Sequence, residues 1–151
     1  MPLIVDIQGF KTSKNKLIVK EFAAYDRTRV CHDVFKAPFA FDCLPEEYRK
    51  QATWLTAHHH AIDWNAGFTQ HFLFPQILRH ITRDAREVYV KGKEKAHFIR
   101  MHIDVPVVEL PETPVLQKQS GTCFYHINEY CVCALSNVYD LYEKFVMTWF
   151  F

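Results

Sequence analysis

Glycine is scarce in this sequence, with 4 residues in 151, which disfavours a phosphate cradle built from closely approaching backbone N–H groups. No Gly-rich phosphate loop, nucleophile elbow or H-E-x-x-H helix occurs along the chain. No apolar stretch approaches the ~20 residues of a membrane helix, so no membrane partner is expected. The opening "MPLIVDIQGF" lacks the basic start, long apolar run and small-residue cleavage site of a secretory signal. A cytoplasmic or nuclear location follows as the expectation, and there an odd set of 5 cysteines reads as free thiols or metal ligands rather than disulfides. Surplus charge is also missing: a formal net charge of +1 gives the whole molecule no strong pull on nucleic acid.

Apolar material, by contrast, is plentiful. Hydrophobic residues make up 49% and aromatic residues 15%, enough for one intracellular domain over residues 1–151 with its own core. "LIVDIQGF", "LIVKEFAAYD" and "RVCHDVFKAP" read as three short strands joined by tight turns, an antiparallel meander. The period then changes. "LPEEYRKQATWLTAHHH" reads as a helix whose first turn holds Pro45, Glu46 and Glu47. "FTQHFLFPQILRHITRD" follows as a second helix that Pro75 either kinks or starts. "REVYVKG" returns to strand, "KEKAHFIRMHI" reads as a short helix and "VPVVEL" as a further strand. Ala134, Leu135, Val138, Leu141, Tyr142 and Phe145 form one stripe of a last amphipathic helix. The order β-β-β-α-α-β-α-β-α predicts an α/β fold, a mixed sheet of meander plus parallel strands with helices packed on it.

This order, with "VDIQGF", "IVKEFAAYD", "DVFKAP", "HHHAIDW", "EVYVKGKEKAHFIRM" and "CALSNVYDLYEKF" in sequence, resembles the RNase H-like superfamily, and within it the DnaQ-type or DEDDh exonucleases. The resemblance covers nearly the whole chain and implies an RNase H-like fold. Asp6 matches the first acid of that family, and Gln8 stands where the family carries Glu. The second-motif Asp falls at Lys95 or Ala96, Asn137 replaces the last Asp, and Val132 sits near the general-base His. Two-metal phosphodiester hydrolysis needs several carboxylates converging on ions ~4 Å apart. With one acid left, the resemblance implies a pseudoenzyme: an exonuclease-like domain with no catalytic residue and no Mg²⁺ or Mn²⁺. Such a domain would bind single-stranded RNA or a protein partner through the old substrate groove. Two alternatives stand beside it. One is a divergent metal-dependent ribonuclease in which Asp104, Glu109 or Asp140 rebuilds the site; the other is a purely protein-binding accessory domain.

Arg79, Arg83, Arg86, Lys91, Lys93 and Lys95 form a basic run that reads either as a solvated face or as a phosphate-binding flank for nucleic acid. Cys123, His126, Cys131 and Cys133 offer thiolate and imidazole ligands within ~11 residues, the ligand types of a structural zinc site. The fourth ligand would be Cys133 or one of His58, His59 and His60; the bland alternative is that buried cysteines act as small hydrophobes. The Maelstrom domain combines an RNase H-like fold, lost exonuclease acids and a Glu-Cys-His-Cys zinc site, and "CFYHINEYC" is similar to the Cys-x2-His…Cys part of it. No sequence motif identifies the Glu. Consecutive residues on a helix point about 100° apart, so His58, His59 and His60 cannot share one metal from regular helix, and surface positions are expected for most of them. Trp64 is expected in the core. Trp149, Phe150 and Phe151 end the chain and suggest packing on the sheet or a homodimer or partner interface.

Overall fold

The computed structural model describes residues 2–14, 16–111, 126–127 and 131–147, with residues 146–147 as backbone only. Cys123 and the terminal Trp149, Phe150 and Phe151 lie outside the described residues.

Alternating apolar residues at the start of the chain form β1 (Leu3–Ser13), which turns tightly into β2 (Lys16–Tyr25) and then β3 (Val30–Val34). The three pair antiparallel as a meander. Beyond them come β4 (Val88–Lys91) and β5 (Val107–Leu110), which run parallel to β1 and to each other. The strand order is β3-β2-β1-β4-β5, an open mixed sheet. All four residues of β4 are buried, as a parallel strand covered on both faces requires. The expected α/β architecture is therefore present.

Four helices flank the sheet. α1 (Glu46–His58) starts behind Pro45 with Glu46 and Glu47 in its first turn, where acids suit the helix dipole. α2 (Phe74–Thr82) carries Pro75 in its first turn, so this proline begins the helix rather than kinking it. α3 is Lys93–Arg100, and α4 (Ala134–Leu141) runs on into a π-helical turn at Tyr142–Met147. Odd residues of β1 (Leu3, Val5, Ile7) pack with Phe22 and Ala24 of β2, with Phe74, Leu78 and Ile81 of α2, and with Ala96 and Ile99 of α3. On the opposite face Ile4 and Ala23 meet Ala134, Val138 and Leu141 of α4. Further along that face Phe10 and Ile18 meet Ala52 of α1 and Trp64. Period-two alternation thus places Asp6, Gln8 and Glu21 on the face that α4 covers.

A register shift between Gln8 and Gly9 leaves Lys20 as an extra residue on β2. Its buried Nζ donates to the carbonyls of Trp64, at 2.8 Å, and Ala66, at 2.5 Å, tying the loop after α1 to the sheet. Burial lowers the Lys20 pKa to about 8, against a smaller opposing pull from Asp63. Gly9 is obligatory at this bulge, because a Cβ there would sit 1.9 Å from the Ile18 carbonyl oxygen.

Candidate functional site

Two polar centres lie side by side beneath α4, and the first is built on Asp6. The residue is only 2% exposed. Oδ1 accepts from Lys95 Nζ at 2.8 Å, while Oδ2 accepts from Asn137 Nδ2 at 3.0 Å and Gln8 Nε2 at 3.3 Å. Three positions that the resemblance marked as altered, Gln8, Lys95 and Asn137, thus converge on the one acid that it matched. Ala96 does not join them: it is fully buried against the other face of the sheet, and Lys95, one residue earlier, reaches the site. The carboxylate is neutralised by an ammonium and capped by two amides, so the cluster presents no free negative charge to a divalent cation. Asp104, Glu109 and Asp140 are exposed, and none joins a metal-competent group among the described residues. Val132 is buried and apolar.

The second centre is built on Glu21, at the middle of β2 and fully buried. Oε1 accepts the backbone N–H of Ala134, the first residue of α4, at 2.8 Å. Around Oε2 stand His32 Nε2 at 2.8 Å, His126 Nε2 at 3.3 Å and Cys133 Sγ at 3.5 Å. The side chains of Glu21, His126 and Cys133 form a buried group that can hold a metal ion, each offering one ligand atom within 4.8 Å of the others. His126 also hydrogen-bonds the His60 carbonyl through Nδ1. A carbonyl only accepts, so Nδ1 carries a proton, and in the neutral ring the Nε2 lone pair would face Glu21 and Cys133. An outer partner that fixes the tautomer in this way is the usual support of a metal-ligating histidine. Without a metal the same pocket favours an ion pair. Burial opposes charge on both groups, yet hydrogen bonds from His126 and His32 hold the Glu21 carboxyl well below its ordinary range. Contacts with Cys133 and Glu21 push His126 well above its own.

Of the four metal-ligand positions read from the sequence, His126 and Cys133 lie in this group. Cys131 is buried two residues away and outside it, and Cys123 lies outside the described residues. Glu21 was not found from sequence. Its signal was an acid inside the apolar strand "LIVKEFAAY", whose burial demands a partner.

The three histidines separate because the helix ends among them: His58, the last residue of α1, is exposed, His59 caps it half-buried with non-helical backbone, and His60 beyond it is fully buried. His60 is the one of the three that leaves the surface. Its Nε2 donates to the Gly9 carbonyl at 3.2 Å and its Nδ1 accepts the Ile62 N–H at 3.1 Å. Both nitrogens are thus satisfied only in the neutral form. Burial, helped by His59, lowers its pKa to about 3. Trp64 is in the core, as expected.

The basic run does not make one surface. Arg79, Arg83 and Arg86 are exposed ahead of β4, whereas Lys91 ends that strand and Lys93 and Lys95 follow it. Of these three, Lys91 is buried and Lys95 is held by Asp6. A groove of about 440 Å³ opens beside Lys95, lined by Gln8, Lys11, Gln51, Trp54 and His59 among others. It lies beyond the carboxyl end of β4, where the strand order reverses between β1 and β4. Open α/β sheets place their ligand crevices at such a reversal. No helix of the described residues is long and apolar enough to cross a membrane. Comparison with protein-family models, curated proteins and solved structures returns no match to this chain.

Proposed function

We propose that this chain is a non-catalytic, RNase H-like module that binds single-stranded RNA and is braced by a structural zinc ion. The observation that carries the reading is the saturation of Asp6 by Lys95, Asn137 and Gln8. A pair of divalent ions needs concentrated negative charge, and an ammonium with two amides supplies none. The groove beside that cluster remains open and holds hydrogen-bonding and aromatic side chains.

Zinc is supported by spacing. Bonds of roughly 2.0–2.3 Å to N, O and S in a tetrahedron set ligand atoms about 3.4–3.6 Å apart. Glu21 Oε2 lies 3.3 Å from His126 Nε2 and 3.5 Å from Cys133 Sγ. The carboxylate, imidazole and thiol are the ligand types of the Maelstrom-like site, with Glu21 supplying the acid that no sequence motif identifies. The ion would join β2 to the entrance of α4, making metal binding part of folding.

Two measurements test this reading. Labelled single-stranded RNA incubated with Mg²⁺ or Mn²⁺ should be bound and left intact. Cleavage abolished by Asp6→Asn would establish the divergent nuclease instead. Elemental analysis of purified protein should find one zinc per chain, lost in Cys133→Ser and Glu21→Gln; full zinc retention in both variants would remove the site.

A further inference from the structure

We infer that the groove between α1 and the carboxyl end of β4 takes one unpaired nucleobase of single-stranded RNA, stacked on Trp54 and read by the Gln8 and Gln51 amides without a divalent ion. This deepens the RNA-binding reading above and rests on it. Trp54 is 56% exposed on α1. Trp54 lines the groove, and the His58 ring stands 5.4 Å from its indole, tilted by 44°. Leaving an indole this open forfeits burial that an ordinary surface residue would not need. Unpaired RNA bases are recognised by stacking on such rings and by hydrogen bonds to their polar edges.

Charge decides which part of a nucleotide enters. The two lysines of the groove are already paired, Lys11 with Glu94 at 2.8 Å and Lys95 with Asp6 at 2.8 Å. The groove therefore carries no surplus positive charge to draw a phosphate chain inwards, whereas the π face of a base asks for none. An amide presents both a donor and an acceptor to a base edge. Gln8 uses Nε2 on Asp6 and keeps Oε1 for a ligand, and Gln51 is exposed on α1. A volume of about 440 Å³ lies in the ordinary range of small-ligand sites. Lys95 fills the position beside Asp6 with its own charge, so base binding here needs no Mg²⁺.

The test is fluorescence anisotropy with short labelled single-stranded RNA homopolymers, on the zinc-loaded protein, with and without Mg²⁺ and at low and physiological salt. Wild-type affinity should be the same with and without Mg²⁺. Trp54→Ala should weaken binding about tenfold or more, by the same factor at both salts, with an unchanged melting temperature. Trp54→Phe should retain most of the affinity. Gln51→Ala should alter the preference among homopolymers. If wild type binds RNA and Trp54→Ala binds equally well, the groove assignment is wrong while the RNA-binding reading stands. If wild type binds no RNA, both fall. A Trp54→Ala effect that shrinks as salt rises would identify a phosphate contact and overturn stacking.

Discussion

Replacing Lys95 by methionine should destabilise the protein more than replacing Asp6 by asparagine, and the double variant should recover part of the loss. The two charges lie 2.8 Å apart. At an effective dielectric constant of ~20 their attraction is about 6 kcal/mol. Desolvation offsets much of this, and the Lys95 side chain is 30% exposed against 3% for Asp6, so solvent screens one partner and not the other. Lys95→Met leaves a buried carboxylate with only the Gln8 and Asn137 amides, at an expected cost of about 2–3 kcal/mol. Asp6→Asn leaves a lysine that can swing into water, at about 1 kcal/mol. The double variant should resemble Asp6→Asn, giving a coupling energy of about 2–3 kcal/mol. Urea unfolding with an unchanged m-value measures each arm. A cost of 2–3 kcal/mol also appears as a fall in melting temperature of about 4–12 °C for a chain of this size. A Lys95→Met variant within about 0.5 kcal/mol of wild type, or a double variant less stable than Lys95→Met, would refute the claim that Lys95 neutralises a buried acid.

Restoring acids at the same cluster, with Gln8→Glu, Lys95→Asp and Asn137→Asp together, should make the melting temperature rise with Mn²⁺, while wild type shows no such rise; thermal scans against Mn²⁺ concentration check this. Glu21→Gln should lower stability by about 3 kcal/mol or more in metal-loaded protein, and chelation of wild type should reproduce most of that loss, both read by urea unfolding. For His102, burial first and the Arg79 charge second lower the folded pKa. The His102 contribution should therefore be complete above the ordinary value near 6.5 and fade as pH falls below it, and Arg79→Ala should flatten that slope in pH-dependent unfolding. Gly9→Ala places a methyl against the Ile18 carbonyl and should cost about 3 kcal/mol or more, since the neighbour is backbone and cannot rotate away; a smaller loss would show that the bulge relaxes.

The fold was largely legible because it rests on period. Alternation in "LIVDIQGF" and "LIVKEFAAYD" fixed the meander, and the stripe from Ala134 to Phe145 fixed the last helix. Ambiguity at Pro75 was a question of position, resolved by its place in the first turn of α2. The sites were legible only where ligands are neighbours in sequence. His126 and Cys133 could be read together, whereas Glu21 is separated from Cys133 by 112 residues and shares with it only a face of the sheet. Lys95 and Ala96 were indistinguishable in sequence because a shift of one residue swings a helical side chain by about 100°, and only packing selects between them. Which of the three histidines leaves the surface was not legible for a related reason: a run of three looks uniformly polar, yet the neutral ring of His60 meets a carbonyl and an N–H that satisfy it inside.

One helix couples both centres. Ala134 gives its N–H to Glu21, and Asn137, three residues on, gives its amide to Asp6, so successive turns of α4 are pinned to β2 and β1 by two buried carboxylates. At Asp6 the compensating cation is a lysine supplied by the chain itself, and the lock there is independent of free divalent ions. At Glu21 the groups that compensate the carboxylate are a histidine and a thiol, which a metal can recruit. Metal removal should therefore loosen the start of α4 while the Asn137–Asp6 contact keeps its middle turn in place. In amide hydrogen exchange, chelation should deprotect residues near Ala134 before those near Val138 and Leu141, and simultaneous loss along the helix would show that the two locks are not separate.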